Sequence, residues 1–152
     1  MKSIRPRLQG KRKAAFENLN KKEKKILVIG DLHAPFIQEG YLEFCQHIYN
    51  IYNCNHTIFI GDIIDNHYSS YHETDPNAMG GGDELTAAIR KLKPWKESFK
   101  KADVIIGNHD RMIMRRAFSS SIPKQWIKSY NDVLGTKWNW QDRIVYDNVQ
   151  YV

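Results

Sequence analysis

Three short runs of consecutive apolar residues punctuate the chain: Ile26-Leu27-Val28-Ile29, Thr57-Ile58-Phe59-Ile60 and Val104-Ile105-Ile106. Unbroken rather than alternating apolarity marks strands buried on both faces. Between the first two, Tyr41, Phe44, Ile48 and Ile51 or Tyr52 recur at helical spacing, which predicts a helix from Glu39 to about Asn53. Strand, helix and strand with short links form a βαβ unit, so the strands should run parallel. Asp83 is placed to cap a helix from Glu84, with Leu85, Ala88 or Ile89, Leu92 and Phe99 as its stripe. Pro94 is expected to kink or split that helix, because it lacks an N–H and crowds the preceding turn. Further helices are predicted over Arg111–Ala117 and from Ile122-Pro123 to Leu134, the latter stopped by Gly135. Trp138–Asp147 and Val149–Val152 read as two strands joined at Asp147-Asn148. The pattern predicts an α/β fold with a parallel-rich sheet and flanking helices.

Each apolar run ends in a glycine and a cluster of polar side chains. The first leads into Gly30-Asp31-Leu32-His33, the second into Gly61-Asp62-Ile63-Ile64-Asp65, the third into Gly107-Asn108-His109-Asp110. Polar groups just past the carboxyl ends of parallel strands lie where open α/β sheets hold ligands. If the strands are neighbours, Asp31, His33, Asp62 and Asn108 converge on one rim. Two carboxylates, an imidazole and an amide oxygen suit manganese, iron or zinc better than calcium. Asp62, on the middle loop, is the natural bridge between two ions, and such a pair activates water against a phosphate ester. His109 would reach over the site to stabilise transition-state charge or protonate a leaving group. Arg111 is a candidate phosphate-binding side chain. Asn66 to Glu84 carries Ser69, Ser70, Pro76 and three consecutive glycines beside His67, Tyr68, Tyr71 and His72. So long a loop directly after Asp65 is read as facing the substrate.

The charge is uneven. Of a net +6, residues 1–25 hold ten basic residues against two glutamates, while residues 26–152 hold 13 basic and 15 acidic residues. The chain therefore divides into a basic, flexible arm (1–25) and one domain (26–152). No apolar run approaches the roughly 18 residues of a membrane span, and no secretory signal opens the chain. A cytoplasmic location is expected. Cys45 and Cys54, placed on one predicted helix and about 180° apart around it, cannot pair there.

The three loops together resemble the calcineurin-like metallophosphoesterases. That family's pattern is Asp-x-His, Gly-Asp-x-x-Asp, Gly-Asn-His-Asp or Glu, an isolated His, then Gly-His-x-His. The chain shows the first three as Asp31-Leu32-His33, Gly61–Asp65 and Gly107–Asp110. The resemblance implies the family's αββα β-sandwich, of which this would be the N-terminal part, and a phosphate mono- or diesterase with two divalent metals (manganese, iron or zinc). It gives Asp31 and His33 to one metal, Asp62 to both and Asn108 to the second. It places His109 on the phosphate and sets Asp65 and Asp110 behind the ligands, Asp110 orienting His109; Asp65 is also, with Arg111, a candidate substrate-binding residue. The loop after Asp65 looks most like that of phage-encoded members, which would place the protein in a host cytoplasm.

One departure stands out. All six histidines (His33, His47, His56, His67, His72, His109) lie at or before the third motif. The last two family motifs are missing, so the chain is expected to be a truncated enzyme with an incomplete metal site and one exposed sheet face. His67 or His72, or a second chain, would be the substitutes for the missing ligands. The competing expectation is a non-catalytic nucleic-acid-binding module that uses the basic arm.

Overall fold

In a computed structural model, the structure describes residues 24–73 and 75–152. The basic arm therefore lies outside the described residues, except for Lys24 and Lys25. Strand β1 (Ile26–Ile29) is followed by α1 (Tyr41–Ile51), β2 (His56–Phe59), α2 (Gly81–Ser98), β3 (Asp103–Ile105), α3 (Met112–Ser119), α4 (Tyr130–Leu134) and β4 (Asn139–Gln141). The first four strands form one sheet in the order β1-β2-β3-β4, parallel throughout. Ile29 pairs with Phe59, and Phe59 pairs in turn with Val104, so the three motif loops leave the same edge side by side. This is the α/β architecture read from the apolar runs.

The helix-covered face holds the main core: Leu27, Ile29, Phe59, Val104 and Trp138 meet Cys45 of α1 and Ala88, Leu92 and Trp95 of α2. Phe59 is central, its ring 4.8 Å from Trp138 and 6.2 Å from Trp95. The stripe of α1 is rotated from the predicted one. Phe44 is 59% exposed, and Ile51 and Tyr52 also face solvent, while Tyr41, Leu42, Cys45, Ile48 and Tyr49 face the core. The centre of the stripe is a cysteine packed as a small hydrophobe. Burial pushes its thiol up to about 11. α1 ends at Ile51, and Asn53 turns the chain with φ of 51°, so Cys54 lies beyond the helix rather than on it. Both cysteines are free.

α2 begins three residues before the expected start. Gly80 rather than Asp83 precedes it, and Asp83 and Glu84 occupy its first turn, where the helix dipole favours carboxylates. It runs through Pro94 as one helix. Proline removes one rung there, but Leu92 and Trp95 on either side are fully packed.

Two predicted elements divide. The 122–134 helix is a 3₁₀ turn at Lys124–Trp126 followed by α4, because Pro123 and Ile127 are extended. Ser129 caps α4 and Gly135 ends it at φ 63°. The 138–147 strand is β4 plus β5 (Ile144–Tyr146), and β5 pairs antiparallel with β6 (Val149–Tyr151). Asp147 and Asn148 both take the left-handed conformation that a two-residue hairpin turn requires. This hairpin packs Ile144, Tyr146 and Tyr151 on the second sheet face, over Ile58 and Ile105. Asp103 ties it down, accepting from Tyr146 Oη (2.6 Å), Asn139 Nδ2 (2.6 Å) and His56 Nε2 (2.6 Å). Val28 (44%) on the edge strand β1 and Ile60 (42%), just past the end of β2, remain exposed.

Candidate metal centre

The loops after β1, β2 and β3 are locked together by their backbones. His33 N–H donates to Asp62 O (2.9 Å), Ala34 N–H to Ile63 O (3.0 Å) and Asp65 N–H to Ala34 O (3.0 Å). These bonds extend the β1–β2 ladder past the sheet edge. The second and third loops touch at their glycines. A Cβ on Gly61, whose φ is 99°, would come within 2.8 Å of Gly107 Cα, and a Cβ on Gly107 would strike the Asp62 carboxylate and amide. Glycine is required at both positions for the loops to approach this closely. Asp31, His33 and Asp62 all have positive φ, at 48°, 43° and 51°. Such conformations cost about 1–2 kcal/mol each, and their clustering marks a functional site.

Asp110 joins the second and third loops. It is 1% exposed, and its carboxylate accepts from Gly107 N–H (2.9 Å), Ile63 N–H (3.0 Å) and Ile64 N–H (3.3 Å). Burial pushes this carboxyl up to about 6 against those donors. Its carboxylate is thus spent on backbone, not on the His109 ring. The His109 ring is held by Asp65: Nδ1 donates to the Asp65 carbonyl at 2.5 Å, and the Asp65 carboxylate lies 3.7 Å away. His109 N–H donates to Asp62 Oδ1 at 2.9 Å.

His33 is held by the same residue. Its Nδ1 donates to Asp65 Oδ1 at 2.8 Å. Its Nε2 then faces Asp31 Oδ1 at 3.8 Å and Asp62 Oδ2 at 4.0 Å. A carboxylate behind an imidazole fixes both tautomer and ring orientation in metal sites. His33, Asp62 and His109 each place a ligand atom within 4.8 Å of the others, a spacing one ion could occupy. Asp31 sits at the solvent edge of this group, and Asn108 lies on the turn before His109. The donor set of imidazoles and carboxylates fits a divalent transition metal. His67 and His72 are not brought into that group among the described residues.

Arg111 is turned to the opposite partner, pairing with Asp142 at 2.8 Å. Asp65, a candidate substrate-binding residue, contacts the two imidazoles, a place behind the ligands such as the resemblance implies. Three supporting residues escape the sequence pattern. Asn66 Nδ2 donates to His109 O (3.0 Å), Tyr130 Oη donates to Asp110 O (2.9 Å), and buried Glu84 accepts from His67 and Tyr68 N–H at 2.9 and 3.2 Å. Only the left-handed tolerance of asparagine at Asn66 offers a local signal; the other two are long-range contacts.

A family model described as calcineurin-like phosphoesterase matches residues 24–148. Comparison with curated proteins and with solved structures returned no match. No helix among the described residues is long and apolar enough to cross a membrane. The matched span takes in all three motif loops and most of the described chain, and with it the chain belongs to the calcineurin-like phosphoesterase family, whose chemistry is metal-dependent hydrolysis of phosphoesters.

Proposed function

We propose that this chain hydrolyses phosphate mono- or diesters with divalent metal held by His33 and Asp62, aided by Asp31 and Asn108 at the rim. The observation that carries this reading is the Asp65–His33 pair at 2.8 Å. A carboxylate accepts only, so the Nδ1 of His33 carries its proton and Nε2 presents a lone pair toward Asp62 and Asp31. Bound ions would lower the pKa of a coordinated water toward 7 and neutralise phosphoryl oxygens.

His109 has a different part. Its Nδ1 proton is committed to the Asp65 carbonyl, so Nε2 carries a second proton only in the imidazolium form. In that form His109 would donate Nε2–H to the leaving oxygen as the ester bond breaks. Asp110 holds the His109 loop against the Asp62 loop and keeps the two groups in register. The likeness of the 66–84 loop to phage-encoded members belongs to the same proposal.

The test is turnover of alkyl phosphate mono- and diesters, whose leaving oxygen needs a proton to depart, with added Mn²⁺, beside His109→Ala. The variant should lose about 10²–10⁴-fold in rate. Equal turnover by both proteins would show that the activity does not come from this site.

A further inference from the structure

Next to the third motif loop lies a cavity of about 830 Å³, within the size range of ligand sites. Asp110 and Asn66 form part of its wall, so it backs directly onto the loop that carries His109. Its interior is apolar, with Leu85, Met114 and Trp138 among its residues, and Tyr68, Phe118, Arg111, Lys124 and Lys128 also line it. The lining carboxylates are already engaged: Glu84 and Asp110 by backbone N–H groups, Asp142 by Arg111.

One chain segment along it is charged in one sense. Residues 111–131 contain Arg111, Arg115, Arg116, Lys124 and Lys128 and no acidic residue. The rest of 26–152 holds eight basic residues against 15 acidic ones. Six of those eight fall in a second basic stretch, 90–101, so the domain is acidic outside these two stretches. Aromatic side chains stand among the cations. Trp126 is 82% exposed, and Phe118, Tyr68 and Tyr71 are exposed as well. The Arg116 guanidinium lies 4.0 Å from the centroid of Tyr71 and bonds Ser69 O and Ser70 O, which anchors the 67–71 segment to α3.

From this we infer that the 111–131 surface and the cavity behind it bind single-stranded nucleic acid, the cations tracking phosphates while unpaired bases stack on the exposed aromatics and enter the cavity. Basic grooves interleaved with aromatic faces are the general form of such sites. Duplex bases are already stacked and would gain neither the aromatic contacts nor the cavity. The inference rests on the phosphoesterase reading only in making the bound strand a phosphodiester substrate.

The experiment is binding of fluorescent (dT)₂₀ to the full chain in EDTA, across a salt series. Combined Arg115→Gln, Lys124→Gln and Lys128→Gln should flatten the log–log salt dependence by about 2, at roughly 0.7 per lost phosphate contact. Trp126→Ala, at an exposed position, should weaken binding by about 10-fold or more. Neither change should alter alkyl phosphate ester turnover. Unchanged affinity in both variants overturns the inference, as does loss of binding only when Lys11, Arg12 and Lys13 are replaced. Binding to vesicles of anionic lipid without binding to (dT)₂₀ also overturns it, in favour of a membrane surface. Ester turnover without oligonucleotide binding defeats this inference alone, and oligonucleotide binding without ester turnover defeats the phosphoesterase reading alone.

Discussion

Asp65→Asn isolates the role of one carboxylate. The backbone of Asp65 bonds Ala34 O at 3.0 Å and His109 Nδ1 at 2.5 Å, and both contacts survive the substitution. What changes is the charge-assisted bond from His33 Nδ1 to Asp65 Oδ1. Loss of such an outer partner lowers metal affinity by about 10–100-fold. At a metal concentration 100 times the wild-type Kd, binding stabilises the fold by about 2.7 kcal/mol. The same concentration is then only about 10 times to 1 times the variant's Kd, which gives about 1.4 to 0.4 kcal/mol. The difference, about 1.3–2.3 kcal/mol, corresponds to about 3–9 °C of Tm at this chain size. Thermal unfolding with and without Mn²⁺ measures it directly. The metal-free Tm should stay close to wild type while the metal-induced rise shrinks by that amount. An undiminished metal-induced rise in Asp65→Asn would refute the view that Asp65 positions His33 for a metal.

Two further outcomes come from the packing. Gly107→Ala drives a methyl group into the Asp62 carboxylate and amide, which should cost about 1–3 kcal/mol; calorimetry giving a wild-type Tm would contradict the contact between the two loops. For Asp103, burial works to raise the carboxyl, but Tyr146, Asn139 and His56 outweigh it and hold it below its ordinary value. Its stabilising contribution is therefore present above the unfolded pKa of about 3.9 and lost as pH falls through the lower folded value. The bond to Asp103, with burial second, pushes Tyr146 up to about 12, so the tyrosine's contribution is present below its ordinary pKa and lost as pH rises through about 12. Denaturant unfolding across pH should show both limbs, and Asp103→Asn should remove the acid one; identical acid limbs in the two proteins would count against the network.

Strands β1, β2 and β3 and the edge that carries the motif loops are legible in the sequence because each of the three is an unbroken apolar run leading to a glycine. The hairpin turn is equally legible, since Asp147-Asn148 tolerates the left-handed backbone that the turn needs. The differences have physical causes. Helical spacing of the large apolar residues misplaces the face of α1, because its centre is Cys45, a small residue that packs as core. A continuous 122–134 helix is interrupted by Pro123 and Ile127, both of which are extended. The break between β4 and β5 carries no proline or glycine to announce it. In the site, the residues at the strand tips can be named from the sequence. The partners that aim them cannot: Asp65 meets His33 across 32 positions, and Asp110 meets Ile63 across 47.

The central claim is that His33, through Nε2, ligates a metal while His109 serves the leaving group. Pulsed EPR of the Mn²⁺-loaded protein reads imidazole ¹⁴N couplings to the ion. Those couplings are expected in wild type and in His109→Ala, and should be lost in His33→Ala. Couplings that persist in His33→Ala, or that are absent from the wild-type protein, would contradict the claim.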